Sequence, residues 1–246
     1  MNLFSEVLDH LRKEILRDAV TPYLWSDESL CEFIAQANDE FAERVQHIRD
    51  STSIATSFEL EAGVDTYILN AVVLSVMSAK IEGNDTDLIR AGSPALNGFV
   101  PSPETVQWLE QINYGTAKDG TPLVYTTDDS VDAGGTPTIR VWPVPAAEDE
   151  GKVVKMRVIR LPLTPCSMDT LDARPEMQRQ YIPALCHGAA ARAYTSQDAD
   201  GGDSTRADKQ QKMFEAYITR ASTGLRRKMF QPASWGFGRG GFTHSR

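Results

Sequence analysis

The sequence has few cysteines, no long apolar run and none of the familiar catalytic motifs. Its 246 residues contain three cysteines, Cys31, Cys166 and Cys186. Three scattered cysteines do not form a disulfide framework, so we expect the chain to fold in a reducing cytosol. No apolar segment approaches the roughly 18 residues of a membrane span, and the N-terminus lacks the continuous apolar segment of a signal peptide. We therefore expect no membrane partner.

Patterns for catalysis and metal binding are also missing. The four histidines do not stand in an HExxH or another ligand spacing, and no GxSxG elbow occurs. Cys186 and His187 are adjacent, but neighbours on a helix point about 100° apart, so we assign Cys186 to packing and His187 to solvent contact. We predict that the protein is not an enzyme and that it has no catalytic residue, no metal site and no cofactor.

Two acidic loops begin like calcium-binding loops without completing the pattern. The loop at 198–203 is followed by Lys209 at its twelfth position, where calcium needs a bidentate glutamate. The loop at 128–136 has Ile139 at the same position. We interpret both as solvated loops, and we expect the acidic, glycine-rich 128–136 stretch to be a mobile tip.

Charge is unevenly distributed along the chain. The formal net charge is −9, which argues against a general DNA-binding protein because such proteins carry excess Lys and Arg. From Gly224 to Arg246 there are five basic residues and no acid, whereas the preceding 223 residues carry 20 basic and 34 acidic side chains. An acidic body with a basic tail suggests that the tail binds something that the body does not.

Apolar spacing predicts a long helix between Trp25 and Ile48, around which the rest of the chain is organised. Its apolar residues recur at three- and four-residue steps and therefore share one helix face. They are Leu30, Phe33, Ile34, Ala37, Phe41, Val45 and Ile48. Ser26 or Asp27 can cap this helix. An amphipathic helix over 3–19 precedes it, and the short link between the two predicts an antiparallel pair.

The middle of the chain is predicted to consist mainly of strands. Segments rich in Ser, Thr, Val and Ile predict strands at 53–61, 67–81, 123–127, 138–142 and 153–161. In the last segment apolar and basic residues alternate, as is typical of a sheet with one exposed face: Val154, Lys155, Met156, Arg157 and Val158. Gly63 marks a turn, and Pro103–Ile112 reads as a short helix.

Helices return after the strands. The first has small residues that permit close helix packing, namely Gly188, Ala189, Ala190, Ala191 and Ala193. The second, at 205–229, has one apolar face formed by Met213, Phe214, Tyr217, Ile218, Ala221 and Leu225. These patterns predict an α+β fold. We expect a helical bundle of residues 1–50 and 175–229, an inserted β-rich domain at 51–174 and an extended C-terminal arm at 230–246.

The order of short signatures along the chain resembles one known family. The signatures are Trp25-Ser-Asp-Glu-Ser-Leu, Gly63-Val-Asp-Thr-Tyr67, Trp142-Pro-Val-Pro145, Leu161-Pro-Leu, Ile182-Pro-Ala-Leu and a basic C-terminal tail. This layout covers nearly the whole chain and is similar to that of the head-to-tail adaptor (connector) proteins of tailed bacteriophages, particularly the short-tailed ones. The chain departs from them in its enlarged β region.

The resemblance implies a non-enzymatic structural subunit of the phage neck, located in the virion after assembly in the host cytoplasm. Relatives of this kind form a twelve-subunit ring under the portal protein and present a platform to a tail or nozzle protein. Double-stranded DNA passes through the lumen of the ring without sequence-specific binding. An acidic body is consistent with weak, repulsive passage of DNA.

The C-terminal arm is the predicted portal-binding site. Its aromatic and arginine side chains are spaced by glycines, and such a segment can become ordered on a partner with the aromatic side chains as anchors. The predicted binding residues are Phe230, Trp235, Phe237, Arg239 and Phe242. In isolation we expect the arm to be disordered, because glycine raises the entropy cost of folding.

Two other classes of function remain open from the sequence alone. A nucleic-acid-binding protein could use the aromatic, Arg-Gly tail on single strands. A tail-associated hydrolase, such as a lysozyme, would need two facing carboxylates in a cleft.

Overall fold

The computed structural model describes residues 1–84, 87–90, 119–127, 136–196 and 204–229. Several predicted features lie outside these residues: the helix Pro103–Ile112, nearly all of the 128–136 loop, the acidic loop at 198–203 and the arm at 230–246. The described residues form an α+β fold, as predicted, in which helices precede and follow a run of strands.

The N-terminal helix is shorter than predicted and changes its geometry partway. Helix α1 (Phe4–His10) continues as a π-helical segment, Leu11–Leu16, and Arg17 ends it in the left-handed region with φ of 57°. The expected apolar residues Phe4, Leu8 and Leu11 are buried. The helix therefore stops before Ala19, and the residues after it form a loop.

Helix α2 (Asp27–Val45) is the predicted central helix. Ser26 is its cap, because its hydroxyl accepts a hydrogen bond from the Ser29 amide at 3.1 Å. Of the seven expected face residues, Phe33 is half-buried and the other six are buried, but Ile48 lies beyond the end of the helix. The helix ends at Gln46, whose left-handed backbone directs its amide to the Ala42 carbonyl at 2.8 Å.

Helix α3 (Ile182–Ser196) packs against both α2 and α4 (Ser204–Met229). The close approach depends on the small residues that the sequence predicts at this interface. A Cβ atom on Gly188 would lie 2.8 Å from the Ala37 Cβ and 3.1 Å from the Phe214 ring. The predicted face of α4 is buried at Phe214, Ile218 and Ala221, whereas Met213 is exposed.

Two sheets form the strand region. In the first, the long strand β8 (Val153–Arg160) pairs antiparallel with three others: β1 (Arg49–Asp50), β2 (Ser57–Glu59) and β4 (Val73–Ile81). The strands of the second sheet are β3 (Thr66–Ile68), β5 (Ile89–Arg90), β6 (Val124–Thr126) and β7 (Thr138–Trp142). Their order is β3-β7-β6-β5, and the parallel pair is β5–β6.

Burial along the strands follows the predicted alternation in one place and breaks it in another. In β8, Val154, Met156 and Val158 are buried, while Lys155 and Arg157 are exposed. The predicted strand at 67–81 is instead two strands, β3 and β4, which belong to different sheets. Bulges in β4 shift its register twice, so its buried positions do not follow a simple period of two.

The apolar interior falls into clusters that follow the secondary structure. Residues of both sheets form one cluster, which includes Tyr67, Val76 and Met156. Helices α1, α2 and α3 form another, and the end of α2 joins α4 in a third around Phe41 and Phe214. Across the described ranges, no helix combines the length and apolar composition needed to cross a membrane.

Candidate interaction site

The predicted portal-binding residues lie outside the part of the chain that the structure describes: Phe230, Trp235, Phe237, Arg239 and Phe242. The structure does describe the end of α4, to which the arm is attached. Arg226, Arg227 and Lys228 are exposed in its last turn. Cations at a helix C-terminus interact favourably with the helix dipole, so the arm begins at a positively charged helix end.

A cavity of about 120 Å³ lies beside this helix end. We call it the α4 cavity. Its buried lining is apolar or aromatic and comes from the last turns of α2, the turn before α3 and α4: Phe41, Val45, Tyr181 and Ala221. Exposed polar side chains, Gln178, Gln180 and Lys228, lie at its edge. Such a cavity suits an apolar side chain with a polar or acidic neighbour.

His47 forms part of the cavity wall and remains neutral there. Its Nε2 donates to the Glu176 carbonyl at 3.0 Å, and its ring meets Phe41 edge to face at 5.4 Å. Burial lowers the pKa of His47 more than the contacts with Glu176 raise it. The imidazole of His47 therefore adds no charge to the wall at neutral pH.

A second, more polar groove of about 300 Å³ lies between the first sheet and α4. Its lining includes three arginines, Arg44, Arg49 and Arg226, beside the apolar side chains of Met77 and Ile159. Arg44 is held by a bidentate contact, with its Nη1 2.6 Å and its Nη2 2.5 Å from the Glu215 carboxylate oxygens. This ion pair fixes α4 against α2.

Arg160 joins the first sheet to the segment that leads into α3. It lies at the end of β8, and its Nε donates to the Asp50 carboxylate of β1 at 2.6 Å. Its Nη2 is 2.8 Å from a Glu176 carboxylate oxygen, and Glu176 also accepts from the Leu163 amide at 2.6 Å. Because Arg160 and Asp50 are both buried, this ion pair is shielded from solvent and holds strands and helices in a fixed relation.

The loop between the first two helices presents an apolar tip, which we call the knob (residues 20–24). Val20, Tyr23 and Leu24 are exposed, at 80%, 47% and 61%. The base of the loop is rigidly held, because the Asp18 carboxylate accepts from the Leu24 and Trp25 amides at 3.0 and 3.3 Å.

Buried Arg12 organises the base of the knob. Its Nη1 is 2.9 Å from the Asp18 carboxylate and its Nη2 is 2.6 Å from that of Asp27. Its Nη2 also donates to the Trp25 carbonyl at 2.9 Å, and its guanidinium carbon lies 4.1 Å from the Tyr23 ring centre. The knob is therefore preorganised, which lowers the entropy cost of binding a partner.

Neither Arg12 nor Arg160 was predicted to have these roles. The sequence places Arg12 in the last turns of an amphipathic helix, where a basic residue normally faces solvent. Its carboxylate partners lie 6 and 15 residues away along the chain. The only local signal is the cluster of Asp18 and Asp27 on either side of an apolar loop, and it does not identify the cation.

Cys186 has the packing role expected of it, whereas His187, for which we expected solvent contact, is half-buried against α4. Cys186 is fully buried and its thiol contacts the Val7 carbonyl at 3.7 Å; burial raises its pKa to about 12. His187 is half-buried, with its Nδ1 2.7 Å from the Gln210 side-chain oxygen and its ring stacked on Tyr217. Within the described ranges, no group of three or more His, Cys, Asp and Glu side chains could hold a metal ion.

Three features stand out on the described surface: an apolar knob, a cavity with an apolar lining and a basic helix end. A comparison with curated proteins found no match. The model of one protein family, described as SU10 adaptor protein, matches residues 2–235. The match spans helices α1 to α4, both sheets and the first residues of the arm. This chain therefore belongs to the SU10 adaptor protein family and is a phage adaptor protein, in agreement with the head-to-tail adaptor resemblance of its sequence.

Proposed function

We propose that this protein is a structural subunit of the phage neck, which forms a ring under the portal, connects head to tail and conducts DNA. The family match over residues 2–235 is the observation that carries this proposal. The ring would contain twelve subunits, as in the adaptors that the sequence resembles. Its partners would be other copies of this chain, the portal protein, a tail or nozzle protein, and double-stranded DNA in the lumen.

The division of the chain into two units is part of the proposal. Residues 1–50 and 175–229 would form a helical bundle, residues 51–174 an inserted β-rich domain, and residues 230–246 the arm. The separate apolar clusters of the helices and of the strands support this division. The buried Arg160–Asp50 ion pair would then be a fixed joint between the two units.

The arm would bind the portal, with Trp235, Phe237 and Phe242 in apolar pockets and Arg239 paired with carboxylates. Its starting point at the basic end of α4 supports a partner surface of negative charge. Assembly would take place in the host cytoplasm and the mature location would be the virion neck. No step of this function requires catalysis or a cofactor.

The proposal is tested with three full-length changes in the arm, Trp235→Ala, Phe237→Ala and Phe242→Ala, made together. Burying one aromatic side chain stabilises a complex by about 1.5–3 kcal/mol, so we expect portal affinity to fall by at least about a hundredfold. The measurement is binding to portal-bearing heads, followed by electron microscopy of the neck. Ser234→Ala, Thr243→Ala and Ser245→Ala together form the control, which should bind as the natural chain does.

A chain that ends at Met229 should also stay folded and fail to dock on the portal. Normal docking of either the truncated chain or the aromatic triple variant would contradict the arm proposal. Electron microscopy of virions that placed this chain outside the neck would contradict the proposed function as a whole.

A further inference from the structure

The knob and the α4 cavity lie at opposite ends of the same helix. The knob ends at Leu24, two residues before Ser26, the cap of α2, whereas Phe41 and Val45 in the cavity wall belong to the last turns of α2. A helix of 19 residues spans about 28 Å. The knob of one chain therefore cannot enter its own cavity, and a contact between the two features requires two copies.

The two features match in size and polarity. The cavity volume of about 120 Å³ is close to the roughly 150 Å³ of an apolar cavity that holds benzene, and a leucine side chain has fewer carbon atoms than benzene. Leu24 is 61% exposed at a loop tip that is held by Asp18 and Arg12. An apolar side chain on a held backbone thus faces solvent at one end of α2, and an apolar cavity of suitable volume lies at the other end.

The charges around the two features are complementary. Near the knob, the acids Asp18, Asp27 and Glu28 outnumber the cations Arg12 and Arg17. At the cavity, exposed Lys228 lies at the edge, and Arg226 and Arg227 share its helical turn. Opposite charges of this kind orient an encounter and disfavour the reversed arrangement.

We propose that the knob of one copy inserts into the α4 cavity of the next copy, with Leu24 as the anchor and Glu28 facing Lys228. A contact between two different patches of identical chains is heterologous and closes into a ring when the rotation allows it. This inference rests on the proposed ring function and assigns the surfaces through which neighbouring subunits touch.

Leu24→Lys is the direct test. Leu24 is exposed and lies beside acids, so the variant should fold normally, but its ammonium group would enter an apolar cavity edged by Lys228. We expect affinity between copies to fall at least about tenfold for each contact. Leu123→Lys is the matched control, because Leu123 is 58% exposed and lies next to strand β6, in the second sheet. The measurements are sedimentation of the full chain, alone and with the portal protein, and thermal unfolding as a check of folding.

Cross-linking locates the contact. Leu24→Cys and Gly224→Cys are placed on separate copies. Position 224 has room for a side chain, because the nearest neighbour of an added Cβ would be the Tyr181 hydroxyl at 3.5 Å. Mild oxidation with copper-phenanthroline should yield a disulfide between two chains in the assembled state. Leu123→Cys mixed with Gly224→Cys should yield none.

A charge exchange gives an independent result. Glu28→Lys and Lys228→Glu should each weaken assembly, and the double variant should recover it, because every contact in the ring then carries the exchanged pair.

The inference is overturned if Leu24→Lys assembles as the natural chain does. It is also overturned if Gly224→Cys forms a cross-link with Trp235→Cys and none with Leu24→Cys, because the cavity would then bind the arm. A natural chain that assembles neither alone nor on the portal would instead contradict the proposed ring function.

Discussion

At the scale of single residues, two helical glycines show how differently the same change can act. Around Gly188 an added Cβ would overlap Ala37 and the Phe214 ring, whereas around Gly224 it would only reach the Tyr181 hydroxyl at 3.5 Å. Gly188 is therefore required for α3 to contact α2 and α4. Gly224 is not required by local packing.

We predict opposite effects of alanine at these positions. Gly188→Ala should lower the free energy of unfolding by about 1–3 kcal/mol because it overpacks the interface. Gly224→Ala should raise it by about 0.5–1 kcal/mol because alanine loses less backbone entropy in a helix. Urea unfolding of the two variants beside the natural chain checks both. A destabilised Gly224→Ala would mean that the α4 cavity cannot accept even one methyl group.

Asp50 gives the protein a predictable response to acid. Burial alone would raise the pKa of Asp50, but hydrogen bonds from Ser53, Thr52 and Arg160 outweigh it and lower the pKa well below its usual value. A carboxyl group with a lowered folded-state pKa stabilises the fold above its unfolded pKa of about 3.9. That contribution is lost as the pH falls toward the folded-state pKa.

Asp50→Asn should therefore lower the free energy of unfolding at pH 7 by about 2–3 kcal/mol, since Arg160 loses its buried anionic partner and keeps only the half-buried Glu176. Its stability should also change less than that of the natural chain between about pH 5 and pH 2. Glu82→Gln is the control, because the Glu82–Lys155 pair on the same sheet is more than half exposed and should contribute less than about 1 kcal/mol. Equal acid sensitivity of Asp50→Asn and the natural chain would refute this account.

At the scale of elements, the knob is a loop whose rigidity depends on a helix residue. Arg12 bridges Asp18 and Asp27, and Asp18 in turn binds the Leu24 and Trp25 amides. Trp25 is then fixed to α3, because its indole donates to the Ala193 carbonyl at 3.2 Å. The loop conformation thus follows from contacts among α1, α2 and α3.

We predict that Arg12→Met loosens the knob. Asp18 would lose the cation that holds it in place, so hydrogen exchange at the Leu24 and Trp25 amides should become faster. Lys13→Met is the control: the neighbouring Lys13 pairs with Asp9 on the surface, and both side chains are more than half exposed. If the Leu24 and Trp25 amides exchange at the same rate in both variants, the backbone alone holds the knob in place.

At the scale of the whole molecule, the charge distribution bears on contact with DNA. The net charge of −9 is the sum of an acidic body and a basic C-terminal stretch. In the proposed ring, tight binding would hinder the passage of DNA, and the excess of carboxylates predicts weak binding.

We expect the full chain to leave duplex and single-stranded DNA unretarded in gel-shift assays at about 0.15 M salt, where the Debye length is about 8 Å. Lowering the salt should reveal at most weak binding that depends on the basic end of the chain. Tight binding of single strands through the aromatic tail would instead favour a nucleic-acid-binding protein.

The sequence by itself determined several of the elements and their buried faces. The three- and four-residue spacing of α2, the cap at Ser26, the alternation in β8 and the extent of α4 were all predictable, because they depend on residues close together in the chain. The order of signatures also pointed to the adaptor family, which the family match confirms.

Only the tertiary structure decided which elements meet and which charges are buried. Strand β8 pairs with three strands that are distant in sequence, and Arg160 at its end finds Asp50 across 110 residues. The α4 cavity is formed by segments around Phe41, Tyr181 and Ala221, which no local pattern connects. Apolar spacing determines that a face is buried, but pairing and cavity shape depend on long-range packing, whose free energy is shared among many contacts.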